Sequence, residues 1–225
     1  MSDSVRIIAL SDVHDEWDRI AIPGTEFDVL VLAGDLHDDR PSELLHARQV
    51  IRALPHHVKI AVFGNHDTAG IERPDLYPMC RVLVDELLEV DGLIFYGAPW
   101  DSPSSRFGWE FRIPGGERDG DDRMDVLVTH EPPYRIRDWG KGGSKYGVRL
   151  GNRDLLMAVE RAKPRLHIYG HAHSGFGHQK IGETVFVNVA ICDEQYAALN
   201  EATTIDISDS EIVVTQNGSG TRYAR

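Results

Sequence analysis

Eight residues of this chain have types and spacings that suit metal-dependent chemistry. Asp12 and His14 stand two apart, and Asp35 follows the apolar run Val29–Leu32. Asn65 and His66 are adjacent, His130 stands alone, and His171 and His173 are again two apart. This is imidazole and hard oxygen with no sulfur, a set that suits Mn, Fe or Zn better than a thiolate-preferring metal. One cation needs fewer donors, so the set reads as a two-metal site with one shared ligand. Asp35 is the expected bridge, because a carboxylate offers two oxygens with about four lone-pair sites and sets negative charge where two cations repel. His66, flanked by Asn65 and Asp67 on one short turn, reads as a catalytic group facing substrate. A further metal ligand and a structural hydrogen bonder are the other readings of that residue. Two cations can clamp a phosphate and lower the pKa of a water to about 7. A water so acidified would serve as a nucleophile, with His66 as the candidate proton-transfer group.

These residues sit where apolar strands end. Ile7–Leu10 runs into Ser11-Asp12-Val13-His14, and Val29–Leu32 into Ala33-Gly34-Asp35. Ile60–Phe63 runs into Gly64-Asn65-His66-Asp67, Val126–Thr129 into His130, and Leu166–Tyr169 into Gly170-His171-Ala172-His173. Open α/β sheets place ligands at the carboxyl ends of strands, so five strands lying side by side would gather five loops on one rim. Pro41 opens a helix expected over Pro41–Leu54 with Leu44, Leu45, Val50, Ile51 and Leu54 as its apolar stripe. A βαβ crossover and parallel pairing follow. Asn152 is the expected N-cap of a helix running to about Arg161. Asp91-Gly92 signals a hairpin between Val82–Val84 and Leu93–Tyr96. The late segments Thr184–Val189, Thr203–Ile207 and Ile212–Thr215 read as antiparallel strands of a second sheet. The aromatic-bearing segment 97–122 and the segment 134–152 read as long loops.

Bulk properties narrow the function. At 225 residues with 41 % hydrophobic content, a single α/β domain over 1–225 is the expectation. A net charge of −12 disfavours salt-driven binding to long nucleic acid. Two cysteines outside any C-x-x-C pair argue against a disulfide framework. No apolar run approaches the roughly 20 residues of a membrane span, and no charged-then-apolar leader opens the chain. A cytoplasmic protein without membrane attachment is expected. The sequence says nothing of oligomeric state.

The ordered motifs D-x-H (Asp12, His14), G-D-x-x-D (Gly34, Asp35, Asp38), G-N-H-D (Gly64–Asp67), a lone His130 and G-H-x-H (Gly170–His173) resemble the calcineurin-like metallophosphoesterase superfamily. The resemblance implies a four-layer αββα sandwich of two mixed β-sheets flanked by helices, with a dinuclear centre at the strand ends. It implies one cation on Asp12, His14, Asp35 and His173, and the other on Asp35, Asn65, His130 and His171. Mn²⁺ is the expected pair, with Fe, Zn or Ni compatible. It further implies His66 as the catalytic histidine, Asp38 as the carboxylate that orients it, Asp67 beside them, and substrate contact by Asn65 and His66. In the phosphoprotein phosphatases the residue after that carboxylate is Arg; here it is Asp39, with Arg40 one later. GAPWDSP (Gly97–Pro103), GWEF (Gly108–Phe111), THEPPY…RD (Thr129–Asp138) and GHAHSGFG (Gly170–Gly177) resemble the metallophosphoesterase-domain-containing branch. That branch implies a phosphodiesterase acting on small nucleotide diesters, cyclic ones included. A phosphomonoesterase or protein phosphatase, and a non-catalytic metal-binding module, stand as alternatives.

Overall fold

The strands that carry the site are apolar on both faces, the pattern of a sheet covered on both sides. In β1 (Val5–Leu10), β2 (Val29–Ala33) and β3 (Val58–Val62), the residues Ile7, Ala9, Val29, Val31, Ala33, Ile60 and Val62 enter one core. Their neighbours Ile8, Leu10, Leu30, Leu32 and Ala61 enter another. This is the period-2 alternation of strand side chains. The computed structural model describes residues 4–26, 28–38, 40–100, 109, 113–114, 123–141 and 146–225. Most of the 97–122 segment, including Phe107 and Phe111, and the 142–145 tip of the 134–152 segment lie outside the described residues. So does Asp39.

Beyond β3 come β4 (Arg81–Val82), β5 (Glu86–Val90), β6 (Leu93–Ala98), β7 (Val126–Thr129), β8 (Trp139–Gly140) and β9 (Val148–Arg149). They are followed by β10 (Leu166–Tyr169), β11 (Gly177–Ile181), β12 (Thr184–Asn188), β13 (Thr203–Ile207), β14 (Glu211–Gln216) and β15 (Ser219–Ala224). The helices are α1 (Pro41–Ala53), the short α2 (Thr68–Glu72) and α3 (Arg153–Ala162). A seven-stranded sheet has the order β15-β14-β13-β1-β2-β3-β4, and a six-stranded sheet the order β11-β12-β10-β7-β6-β5. Both are mixed: β1 to β4 run parallel while β13 to β15 are antiparallel, and β6, β7, β10 and β12 run parallel between antiparallel edges β5 and β11.

Three apolar clusters correspond to the three spaces between four layers. The central one joins the inner faces of the sheets, with Ile7, Val31 and Ile60 from one and Phe95, Val126, Ile168 and Val187 from the other. A second joins α1, through Ala47 and Ile51, to the outer face of the first sheet. A third joins α3, through Leu155, Ala158 and Val159, to Tyr96, Leu127, Tyr169 and Phe186 on the outer face of the second. Asn152 caps α3 as its residue type predicts, its side chain accepting from the N–H groups of Asp154 and Leu155 at 2.8 and 3.1 Å. Pro41 opens α1, but Leu45 of the expected stripe faces solvent.

Three local expectations are corrected. The five ligand-bearing strands do not share a sheet: β1, β2 and β3 belong to one, β7 and β10 to the other. The late strands also divide. β12 pairs parallel with β10, while β13 and β14 extend the first sheet through antiparallel pairing of β13 with β1. The hairpin at Asp91-Gly92 is real, with positive φ at both residues as a type I′ turn requires; its first strand is Glu86–Val90 rather than Val82–Val84. Among the described residues no helix is long and apolar enough to cross a membrane.

Candidate metal centre

The carboxyl ends of β1, β2, β7 and β10 meet on one rim, where the two sheets face each other. Backbone bonds tie their loops together. Asp12 donates its N–H to Gly34 O at 2.9 Å, Val13 and His14 donate to Asp35 O at 3.0 and 3.1 Å, and Gly170 donates to His130 O at 3.1 Å. Two groups of donors result. Asp12, His14 and His173 bring ligand atoms within 4.8 Å of one another, and so do Asp35, His130 and His171. A third group, His14, Asp38 and His66, shares His14 with the first.

The two triads hold each other. Both carboxylate oxygens of Asp12, in the first, accept the backbone N–H of His171, in the second, at 3.0 and 2.9 Å. Asp35, in the second, accepts the N–H of His14 on its carbonyl and the N–H of His66 on Oδ1 at 2.9 Å. Asp12, His14, Asp35 and His171 all have φ between 52° and 64°, a region that L residues rarely occupy and that marks stored strain at functional sites. Close approach also requires glycine. A Cβ on Gly64 would lie 2.1 Å from Asp35 Oδ1, and one on Gly170 would lie 2.2 Å from Asp12 Oδ2.

Three triad imidazoles meet an oxygen through Nδ1, and His130 and His173 turn Nε2 to Asp35 and Asp12. His14 Nδ1 meets Asp38 Oδ1 at 2.9 Å, His130 Nδ1 meets Ala33 O at 2.9 Å, and His173 Nδ1 meets Asp193 O at 2.7 Å. Oxygen partners on Nδ1 are what fixes a metal-binding imidazole with Nε2 free. His14 Nε2 and the Asn65 side-chain oxygen are buried with no hydrogen-bond partner among the described residues. A native interior leaves few such atoms unpartnered. Two hard divalent cations fit this donor set.

Charges inside the site are arranged in pairs. Burial would lower His130, but the charge and hydrogen bond of Asp35, whose Oδ2 is 3.2 Å from His130 Nε2, push it up to about 10. Burial would likewise lower His173, but the hydrogen bond and charge of Asp12, 3.2 Å from Nε2, push it up to about 9. Asp12 and Asp35 lie below the ordinary carboxylate range, because these histidines outweigh the cost of burial. Burial lowers His14, and burial with the charge on His130 lowers His171 to about 4. Without metal, His130 and His173 are therefore the imidazoles that hold a proton beside these carboxylates.

Asp38 and His66 lie beside the first triad. One oxygen, Asp38 Oδ1, receives His14 Nδ1 at 2.9 Å and His66 Nδ1 at 3.0 Å. The sequence reading anticipated the second contact and not the first. Asp67 lies between two loops. Expected with the catalytic group, it is fully buried, and its oxygens accept the N–H groups of Leu36, His37 and Gly64 at 2.8, 3.3 and 2.9 Å. It clasps the Asp35 loop to the Gly64 turn. Burial and the charge on Asp35 push its carboxyl up to about 6. His37 is likewise buried, bonded through Nδ1 to Asp38 O at 2.6 Å and stacked on Tyr77. Arg40 is engaged on α1, with Nε 2.9 Å from Glu43 Oε1.

Two aromatic rings flank the triads. Trp100 lies 4.7 Å from the His171 ring and 5.9 Å from His130. Tyr196 lies 4.6 Å from His14, 5.5 Å from His173 and 6.5 Å from His66. The sequence reading placed Trp100 among loop aromatics and passed over Tyr196, which sits in an aperiodic stretch with no motif around it. A cavity of about 630 Å³ at the opposite ends of the strands, lined by Ile94, Met124, Arg165 and Tyr223, contains none of the ligand residues.

The family model described as calcineurin-like phosphoesterase matches residues 5–175. The chain belongs to that family. Membership carries metal-dependent hydrolysis of phosphate esters, and it accounts for a rim of Asp, Asn and His at strand ends. The human metallophosphoesterase domain-containing protein 1 is 31 % identical over 237 residues, which cover 90 % of this chain and 71 % of that protein. A dimetal phosphatase from Danio rerio shares the fold with a TM-score of 0.57 at 12 % identity, over 99 % of both chains. Purple acid phosphatase PPD1 from yellow lupin seeds does so at 0.58 and 13 % identity, over 100 % of this chain and 54 % of its own. These two likenesses establish the four-layer architecture. Within the family fold the donor types match divalent cations.

Proposed function

We propose that this protein is a dinuclear phosphodiesterase. Asp12, His14 and His173 with Asp35 would hold one cation, and Asp35, Asn65, His130 and His171 the other. The observation that carries the reading is the pair of cross-clasped donor triads, together with the buried and unpartnered His14 Nε2 and Asn65 Oδ1. A pair of divalent cations so held supplies Lewis acidity at the phosphoryl oxygens and a water acidified towards neutral pH.

The chain's own residues supply the rest. His66 is half-buried at the edge of the first triad, with Nδ1 on Asp38 Oδ1 at 3.0 Å. That bond leaves Nε2 to carry the proton that the departing ester oxygen needs, a contribution of typically 10²–10⁴-fold. Asn65, one residue before it, would reach substrate as well as cation. Diesters are preferred on charge. A monoester dianion carries one more negative charge than a diester. Among the described residues no Arg or Lys pairs with a triad side chain, and Arg40 is spent on Glu43. Small nucleotide diesters are the substrate class implied by the resemblance of the sequence motifs at 97–103, 108–111, 129–138 and 170–177.

Stripped protein reloaded with Mn²⁺ and given bis-p-nitrophenyl phosphate or p-nitrophenyl phosphate tests the proposal. The expected result is metal-dependent turnover with a higher kcat/KM on the diester. Preference for the monoester would support the phosphomonoesterase reading, and turnover of neither would end the enzymatic one.

A further inference from the structure

Beside His66 stands an aromatic side chain to which neither the family pattern nor the metal chemistry gives a role. Tyr196 has φ +60, a conformation rare for a bulky residue, yet its turn is fully bonded. Tyr196 N donates to Asp193 O at 2.9 Å, Gln195 and Ala197 N donate to Asp193 Oδ1 at 2.8 and 3.0 Å, and Asp193 N donates to Ala197 O at 2.9 Å. Asp193 O is also the partner of His173 Nδ1. Glu194 takes the N–H of Ser174 on Oε1 and the N–H of Lys141, next to β8, on Oε2. One short turn thus orients a triad histidine, anchors a neighbouring loop and presents the tyrosine ring.

That ring does not join the core. It is 49 % exposed, and it meets His14 and His173 nearly perpendicular, at 77° and 83°. Burial and the nearby Asp38 and Asp35 hold its hydroxyl above the ordinary phenol range, so the ring stays neutral. A rigid, half-exposed tyrosine offers large contact area at little entropic cost. A backbone outlier at a reaction centre argues for function. Trp100 flanks the other triad, against His171 and His130, whereas Tyr196 is the ring on the side of His66, where the leaving group departs.

We propose that Tyr196 is a specificity-determining contact that stacks on a flat ring, of nucleobase type, carried by the ester group leaving beside His66. The inference rests on the diesterase reading and narrows it to ring-bearing esters. Aromatic contacts of this kind tolerate any base, because every base has a π-face.

The test compares two five-membered cyclic diesters on the Mn²⁺-loaded protein: adenosine 2′,3′-cyclic phosphate, which carries a base, and glycerol 1,2-cyclic phosphate, which does not. Tyr196→Ala is expected to raise KM for the adenosine ester about tenfold, with kcat nearly unchanged. Both constants for the glycerol ester and the metal content should stay as in wild type, and Tyr196→Phe should keep the wild-type KM. An unchanged KM, an equal loss on both esters, or loss of metal would overturn the assignment and leave the ring as a cover for His14. Calorimetry keeps the two readings apart. Wild-type protein should bind AMP more tightly than ribose 5-phosphate, and Tyr196→Ala should erase that difference. If wild-type protein hydrolyses no ester, the diesterase reading fails, and the binding difference alone decides for or against the ring contact.

Discussion

The two donor triads look alike in composition, one carboxylate and two imidazoles each, but they are supported differently. In the Asp35, His130 and His171 triad, the His130 ring is fixed by the carbonyl of Ala33, part of the β2 ladder. In the Asp12, His14 and His173 triad, the rings are fixed by a side chain, Asp38, and by the carbonyl of Asp193 in a loop. Asp38 also holds His66. One half of the site is built into the sheets. The other half is wired through Asp38 to His66, the proposed proton donor. Asp35 joins them: its carbonyl carries the His14 loop, and its carboxylate touches both the His66 backbone and the His130 ring.

Removing that join should have the largest effect. Asp35→Asn takes away the charge between the triads and should abolish activity and empty both metal positions, as elemental analysis of the purified variant would read. His66→Gln should leave two metals per chain and cost about 10²–10⁴-fold in kcat. Its loss should be greatest for substrates with poor leaving groups, and full activity on an alkyl ester would refute the proton-donor role. Asp38→Asn strikes only the wired half. It should weaken one metal position by about 10–100-fold and lower kcat while the other position keeps its affinity, an asymmetry that a two-step metal titration would show.

Acidity sharpens the comparison with a smaller effect. His130 and His173 are raised to about 10 and about 9 in the metal-free protein. A raised histidine contributes stability in full below its unfolded value, about 6.5, and loses it as pH climbs through the folded value. The stripped protein should therefore melt lower at pH 10 than at pH 7, by about 2–4 °C for each kcal/mol lost. Metal uptake must expel those protons and so tightens with pH, which means the gap in Tm between loaded and stripped protein should widen as pH rises. A constant gap would contradict the paired-charge arrangement.

The gathering of the candidate donors was legible in the sequence because each closes an apolar strand, and a strand's end points to its rim whichever sheet holds it. Which strands go to which of the two sheets was not, since Ile205 and Ile207 alternate in the same way whether β13 pairs with β1 or elsewhere. Partner choice there depends on contacts 200 residues apart, as at Arg6 and Asp206. The surroundings of Asp67 were not legible, because adjacency to His66 does not say which way a side chain turns; three backbone N–H groups bind this one. Tyr196 went unseen because an irregular turn leaves no period to read. Its importance rests on contacts with His14, His66 and His173, all remote in the chain.

The most direct test of the central claim is anomalous diffraction from crystals of the Mn²⁺-loaded protein. Two peaks are expected, one within Asp12, His14 and His173 and one within Asn65, His130 and His171, with the Asp35 carboxylate between them. A single peak, or two that do not share Asp35, would contradict it.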